Sequence, residues 1–183
     1  MPTVSEKSSA GGGETPISDF SKCHMGILKE LEAFSELPAL LSAAERARRV
    51  AQRVVEMFGQ AVIEHHAEEE EELFPAVLAS ALPGEELELV KQLVGRLVRE
   101  HREAEAIWKR LAPAVKKAAK GQSVHIDFAE VEHLMRKYAE HASFEEAEFL
   151  PLSERILRRN ANHMAALGLS LHMRHLPLHT RNI

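Results

Sequence analysis

The sequence predicts an all-α fold: an antiparallel up-down-up-down four-helix bundle with a short C-terminal helical extension. Three observations lead there. Apolar residues recur at steps of three and four along most of the chain, the spacing that puts them on one face of a helix. The segments between these periodic stretches are short, which favours antiparallel neighbours. No run of alternating apolar and polar residues competes as a strand. Aromatic residues are only 5% of the 183, which suits a core built on Leu, Val and Ala.

Residues 1–15 are small, polar and rich in Gly and Ser, with no apolar periodicity, and read as a disordered leader. The first helix is expected from about 18 to 41, with Phe20, His24, Ile27, Leu31 and Phe34 on one stripe and Pro38 unsettling its end. A second begins near Ala43 and carries Val54, Phe58, Val62, Leu73 and Ala76, with Pro75 expected to kink it or end its regular part. After Leu82-Pro83-Gly84 the third helix runs to about Lys120. Leu87, Val90, Val94, Val98, Trp108 and Val115 face inward, and Gly121 is the stop signal. The fourth starts near Asp127 and buries Val131, Leu134, Phe149, Leu152 and Ile156. A shorter amphipathic segment, 162–175, precedes Pro177. The domain plan is therefore a leader (1–15), a bundle (16–160) and an extension (161–183).

Composition excludes several classes of function. A formal charge of −5 leaves no electrostatic footprint for nucleic acid or an anionic membrane. No apolar run approaches the roughly 20 residues of a membrane span. The single cysteine, Cys23, rules out an internal disulfide, and no basic stretch followed by an apolar one marks a signal peptide, so a cytoplasmic location is expected. There is no Ser/His/Asp nucleophile arrangement, Gly-rich phosphate loop or Cys-x-x-Cys pair, so hydrolase and nucleotide-binding readings have no support.

One pattern is written twice: His65-His66-x-x-Glu69-Glu70-x-x-Leu73-Phe74-Pro75 and His141-x-x-x-Glu145-Glu146-x-x-Phe149-Leu150-Pro151. On a helix, residues four apart share a face with Cβ atoms about 5–6 Å apart, so each copy sets an imidazole beside a carboxylate. Counting along the apolar stripes brings His65 and Glu69, His141 and Glu145, His101 and Glu105, and His24 to inward positions. Buried polar groups are costly unless paired or coordinated, and metal binding would relieve that cost. His66 steps off the stripe by about 100° and reads as a boundary residue.

These residues resemble the hemerythrin-like, His-His-Glu cation-binding family over about residues 18–157. The string His65 to Pro75, His24 in Cys23-His24-Met25, His101, and His141 with Glu145 arrive in the family's order. The resemblance implies a four-helix bundle holding two Fe ions in a non-haem, carboxylate-bridged centre. Glu69 and Glu145 would be the bridges, and His24, His65, His101 and His141 the terminal ligands.

The chain departs from the oxygen-carrying branch at two places. Glu105 stands where a second His of the third helix is expected, and Glu145 follows His141 at four residues rather than as an Asp at five. With Glu105 as a ligand, the donor set would be harder and more anionic, favouring ferric iron over reversible oxygenation; if Glu105 does not touch the metal, it has no such effect. Tyr138, one turn before His141, could act catalytically by ligating, hydrogen-bonding a bound oxygen species or relaying an electron; otherwise it is a core aromatic. The expected function is handling of peroxide, nitric oxide or dioxygen in a redox or stress-protection role, as a di-iron peroxidase or nitric-oxide-handling oxidoreductase with a separate electron donor. The alternatives are a non-catalytic binder or sensor of dioxygen, nitric oxide or iron, and a purely structural metal. His and Glu ligands accept iron, manganese and zinc alike. His163, His172, His175 and His179 form a late cluster whose helical spacing Pro177 interrupts.

Overall fold

The computed structural model describes residues 16–159, with side chains from Cys23 onward. The leader, the C-terminal extension and the late His cluster lie outside the described residues. Those described are helical apart from short connections, with no strand among them, in agreement with the all-α class. The elements are α1 (Pro16–Glu56), a π-helical turn π1 (Met57–Val62), α2 (Ile63–Glu68), π2 (Glu69–Leu73), α3 (Phe74–Ser80), α4 (Glu85–Ala119), α5 (Phe128–Phe144), π3 (Glu145–Phe149) and α6 (Leu150–Leu157). The chain divides into two compact units, with described residues 16–46 in the first and those from Ala47 on in the second.

In the first unit, the helix break expected near residues 41–43 does not occur, and α1 continues through Pro38. Proline's fixed φ is compatible with a helix, and its cost is the lost bond to the carbonyl four residues back and the clash there. Here Pro38 is exposed, so water can satisfy that carbonyl. The following residues, Ala39 to Arg46, include Leu, Ala, Glu and Arg, strong helix formers, and no Gly. Exposed Pro113 is carried inside α4 in the same way. The stripe Ile27, Leu31 and Phe34, expected to face inward, is exposed.

In the second unit, local signals set the helix ends. Gly84, at φ +105°, turns the chain into α4, and Gly121, at φ +73°, follows its C-terminus. Both values lie in the region that favours glycine. Asp127 caps α5 by accepting a hydrogen bond from the Ala129 amide at 2.9 Å.

Pro75 and Pro151 do not end their helices. Each stands at the start of a fresh α-segment directly after a π-turn, and each of those turns opens on a glutamate of the repeated motif, Glu69 or Glu145. A π-turn takes in one residue more than an α-turn, so the inward stripe slips where it occurs. On the first arm the buried series is Phe58, Val62, His66, Glu69, Phe74 and Val77, whereas uniform helical counting gives His65, Leu73 and Ala76.

Two apolar clusters result. One gathers Phe58, Val62, Ala104, Ile107, Trp108 and Leu134 among others. The second gathers Phe74, Val77, Val90, Leu97, Phe149, Leu152 and Ile156. Phe58 stacks on Trp108 with centroids 4.7 Å apart, and Phe74 meets Phe149 edge-on at 5.1 Å. Fully burying each such ring contributes about 1.5–3 kcal/mol. Along every arm the residues between these clusters are polar and buried: His66 and Glu69, then His101, then His141 and Glu145. The core is therefore two apolar blocks with a polar layer between them.

Candidate metal centre

The polar layer resolves into two adjoining groups of donor atoms. His66, His101 and His141 offer nitrogens that all lie within 4.8 Å of one another, and His65, Glu69 and Glu145 do the same with a nitrogen and two oxygens. His66 and His101 stack in parallel, with centroids 3.9 Å apart and planes 4° off parallel. His141 approaches His101 edge-on at 4.8 Å.

Each imidazole of the first group is anchored at Nδ1 by a carboxylate. His66 Nδ1 donates to Glu105 Oε1 at 3.1 Å, His101 Nδ1 to Glu70 Oε1 at 2.9 Å, and His141 Nδ1 to Glu100 Oε2 at 3.2 Å. A ring that donates from Nδ1 carries its lone pair on Nε2. All three Nε2 atoms are buried without a hydrogen-bond partner, as is Glu69 Oε2. His101 Nε2 and Glu69 Oε2 lie only 3.1 Å apart but off the line a hydrogen bond needs. Orphaned buried acceptors carry a desolvation penalty of about 1–3 kcal/mol each. Three converging lone pairs beside a carboxylate oxygen are a donor set that fits a divalent cation, and carboxylate-anchored imidazoles are the usual support of metal-ligating His.

The surroundings favour the neutral, lone-pair-bearing ring at His66 and His141 and oppose it at His101. Burial, and then the neighbouring His101, push His66 down to about 4 against the opposing pull of Glu105, leaving the ring neutral near pH 7. Burial and His101 also lower His141. Burial opposes a proton on His101, yet Glu69 and Glu70 draw its value up. In the second group, Glu69 and Glu145 bring carboxylate oxygens within 4.8 Å of each other, and each shifts the other's protonation. Burial and then Glu69 push Glu145 up to about 8, so that without a cation it holds the proton the pair shares. Burial works against ionised Glu69, but the closeness of the His101 and His65 imidazoles and of Glu145 prevails and lowers it. His65 Nε2 lies 3.2 Å from Glu69 Oε1, with its side chain 42% exposed, so this end of the layer is open.

Of the residues singled out in the sequence, His65, Glu69, His101, His141 and Glu145 come together here. Glu105 is not in either group; it is the Nδ1 partner of His66. His24 is exposed on α1, in the first unit, and belongs to neither group. Tyr138 is half-buried, with its ring centroid 5.9 Å from that of His141 and 6.2 Å from that of His66. Burial, and then Glu69 and Glu145, raise its phenol further above neutrality. Sequence counting missed His66. The slip comes from π1, Met57–Val62, just ahead of His66, and that turn carries no proline to mark it. Sequence counting also missed the anchors Glu70 and Glu100, each adjacent in sequence to a residue of the layer.

Residues 15–153 match the family model described as the Hemerythrin HHE cation binding domain. No curated protein and no solved structure matches the chain.

Proposed function

The chain belongs to the hemerythrin HHE cation-binding family, and on that premise we propose that it holds two iron ions in its polar layer and uses them to reduce small oxidants. The observation that carries this reading is the set of three carboxylate-anchored imidazoles with unpartnered Nε2 atoms, directly beside the Glu69–Glu145 pair. His66, His101 and His141 would hold one ion and His65 the other. Glu69 and Glu145, giving up their shared proton, would bridge the two. From the sequence motif, His24 is proposed as a further terminal ligand and the family's four-helix bundle as the architecture of residues 16–160. Glu105, first a candidate ligand, is assigned here to anchoring His66.

Two ferrous ions can supply the two electrons that, with two protons, convert hydrogen peroxide to two waters. The protein's own part is positioning and proton supply. Hydrogen bonds from Nδ1 to carboxylates raise the basicity of the opposite nitrogen, and a more electron-rich ligand set favours the oxidised cation. Tyr138, kept protonated by burial and by the nearby carboxylates, is proposed as the group that donates a proton to the bound oxidant. A separate electron donor would return the centre to its reduced state. A redox or stress-protection role in the cytoplasm is the setting we propose. Among the described residues, no helix is long and apolar enough to cross a membrane.

A second reading, reversible binding or sensing of dioxygen or nitric oxide, gains support from His66. An additional imidazole in the layer removes the argument that Glu105 makes the shell harder. Metal content of anaerobically purified protein, with optical spectra after oxygen and then peroxide, separates the two. Two irons per chain and peroxide consumed over many turnovers with an electron donor is the expected result. A stable, reversible oxygen adduct without turnover would establish the second reading, and zinc or no metal would overturn both.

A further inference from the structure

Arg102 stands on the outer flank of α4, its side chain 57% exposed. Its guanidinium grips both carboxylates that anchor the stacked imidazoles. Nη2 donates to Glu70 Oε2, and Nη1 donates to Glu105 Oε1 and Oε2 at 3.1 and 3.2 Å. Glu70 in turn accepts from His101, and Glu105 from His66. A closed ring results: one guanidinium, two carboxylates and two parallel imidazoles 3.9 Å apart.

We propose that Arg102 is the positioning residue of the three-histidine metal site, fixing the spacing and the Nδ1–H tautomer of His66 and His101 together. This rests on the metal-binding reading above. Two anions held on the same side of a pair of stacked rings repel each other, and both have a route to water, Glu70 being 20% and Glu105 26% exposed. Without a shared cation they would turn outward and release the rings. A planar guanidinium with five donors can hold two carboxylates at once, whereas an ammonium on a flexible stem is a point charge that does not fix their geometry. The third imidazole repeats the design with its own arginine: Arg96 Nε donates to Glu100 Oε1 at 2.6 Å, and Glu100 Oε2 accepts from His141. Arg96 therefore supports one ring and Arg102 two.

The test is titration of the metal-free protein with Co(II), followed by its visible bands and by calorimetry, in wild type, R102L, R102K and R110L. Arg110 pairs with Glu130, so R110L makes the same charge change outside the ring. Wild type and R110L should bind two Co(II). R102L should weaken the three-histidine site by about 10–100-fold, the usual cost of losing an outer-shell partner, and leave the His65, Glu69 and Glu145 site within about twofold, with R102K rescuing only in part. Unchanged affinities and spectra in R102L, or equal loss at both sites, would overturn the proposal. If wild type itself takes up no metal, the metal-binding reading fails. Imidazole 15N shifts of the metal-free protein at pH 7.5 then still decide the matter. His66 should hold its proton on Nδ1 in wild type and become a tautomer mixture in R102L, and an unchanged tautomer would overturn the role of Arg102. Melting curves of both proteins check that the bundle persists.

Discussion

Glu105 Oε1 accepts a hydrogen bond from His66 Nδ1 at 3.1 Å, joining α4 to α2 across the polar layer. The two residues exchange the roles their sequence positions suggest. The glutamate on the predicted ligand stripe is half-buried and serves an imidazole; the histidine next to the predicted ligand is buried and points its free nitrogen at His101 and His141.

This exchange separates ligand from support. H66A should remove one of the two metal ions, because it deletes a donor atom. E105A should keep both ions and weaken one by about 10–100-fold. Metal analysis after dialysis against a weak chelator measures both. Equal metal loss in the two variants would return Glu105 to the ligand shell.

The metal-free bundle should lose stability above neutral pH. Folding raises Glu145 from 4.5 to about 8, so its contribution is fully present below about 4.5 and is lost as pH rises toward 8. His101 is also raised from 6.5, and its contribution likewise fades above 6.5. His66, lowered from 6.5 to about 4, acts oppositely, contributing above 6.5 and losing that contribution as pH falls to 4. Stability should therefore peak near pH 5–6.5 and fall by about 1.4 kcal/mol per pH unit for each such proton above it. E145Q, which cannot ionise, should flatten the alkaline limb in urea melts, and an unchanged limb would rule out Glu145 as its source.

Tyr138 separates proton supply from binding. Y138F should bind two metal ions as wild type does and fold normally, while peroxide turnover falls by about 10²–10⁴-fold, the range of a lost general acid. Full turnover in Y138F would make the tyrosine a packing residue.

Phe149 is fully buried in the cluster on one side of the layer and meets Phe74 edge-on. F149A should cost about 3–5 kcal/mol of stability, read from urea denaturation of the metal-free protein. A loss under 1 kcal/mol would mean that this apolar block does not hold the layer in place.

The all-helical class and the double His/Glu motif were legible in the sequence, because both depend on local spacing. Apolar residues at steps of three and four define a helix whatever it packs against, and a pair four apart shares a face in any helix. The continuation of α1 through Pro38 was not legible, since a proline breaks a helix only where its freed carbonyl finds no other partner, and exposure decides that. The choice of His66 over His65 was also beyond local counting. A single π-turn changes which residue of an adjacent pair points inward, and three occur along these arms. Local spacing along the chain settled the helical class and the two His/Glu pairs. Tertiary structure alone decided which nitrogen faces inward and which carboxylate steadies it, because Glu105 to His66 and Glu70 to His101 are pairings 39 and 31 residues apart that form only when separate helices are packed side by side.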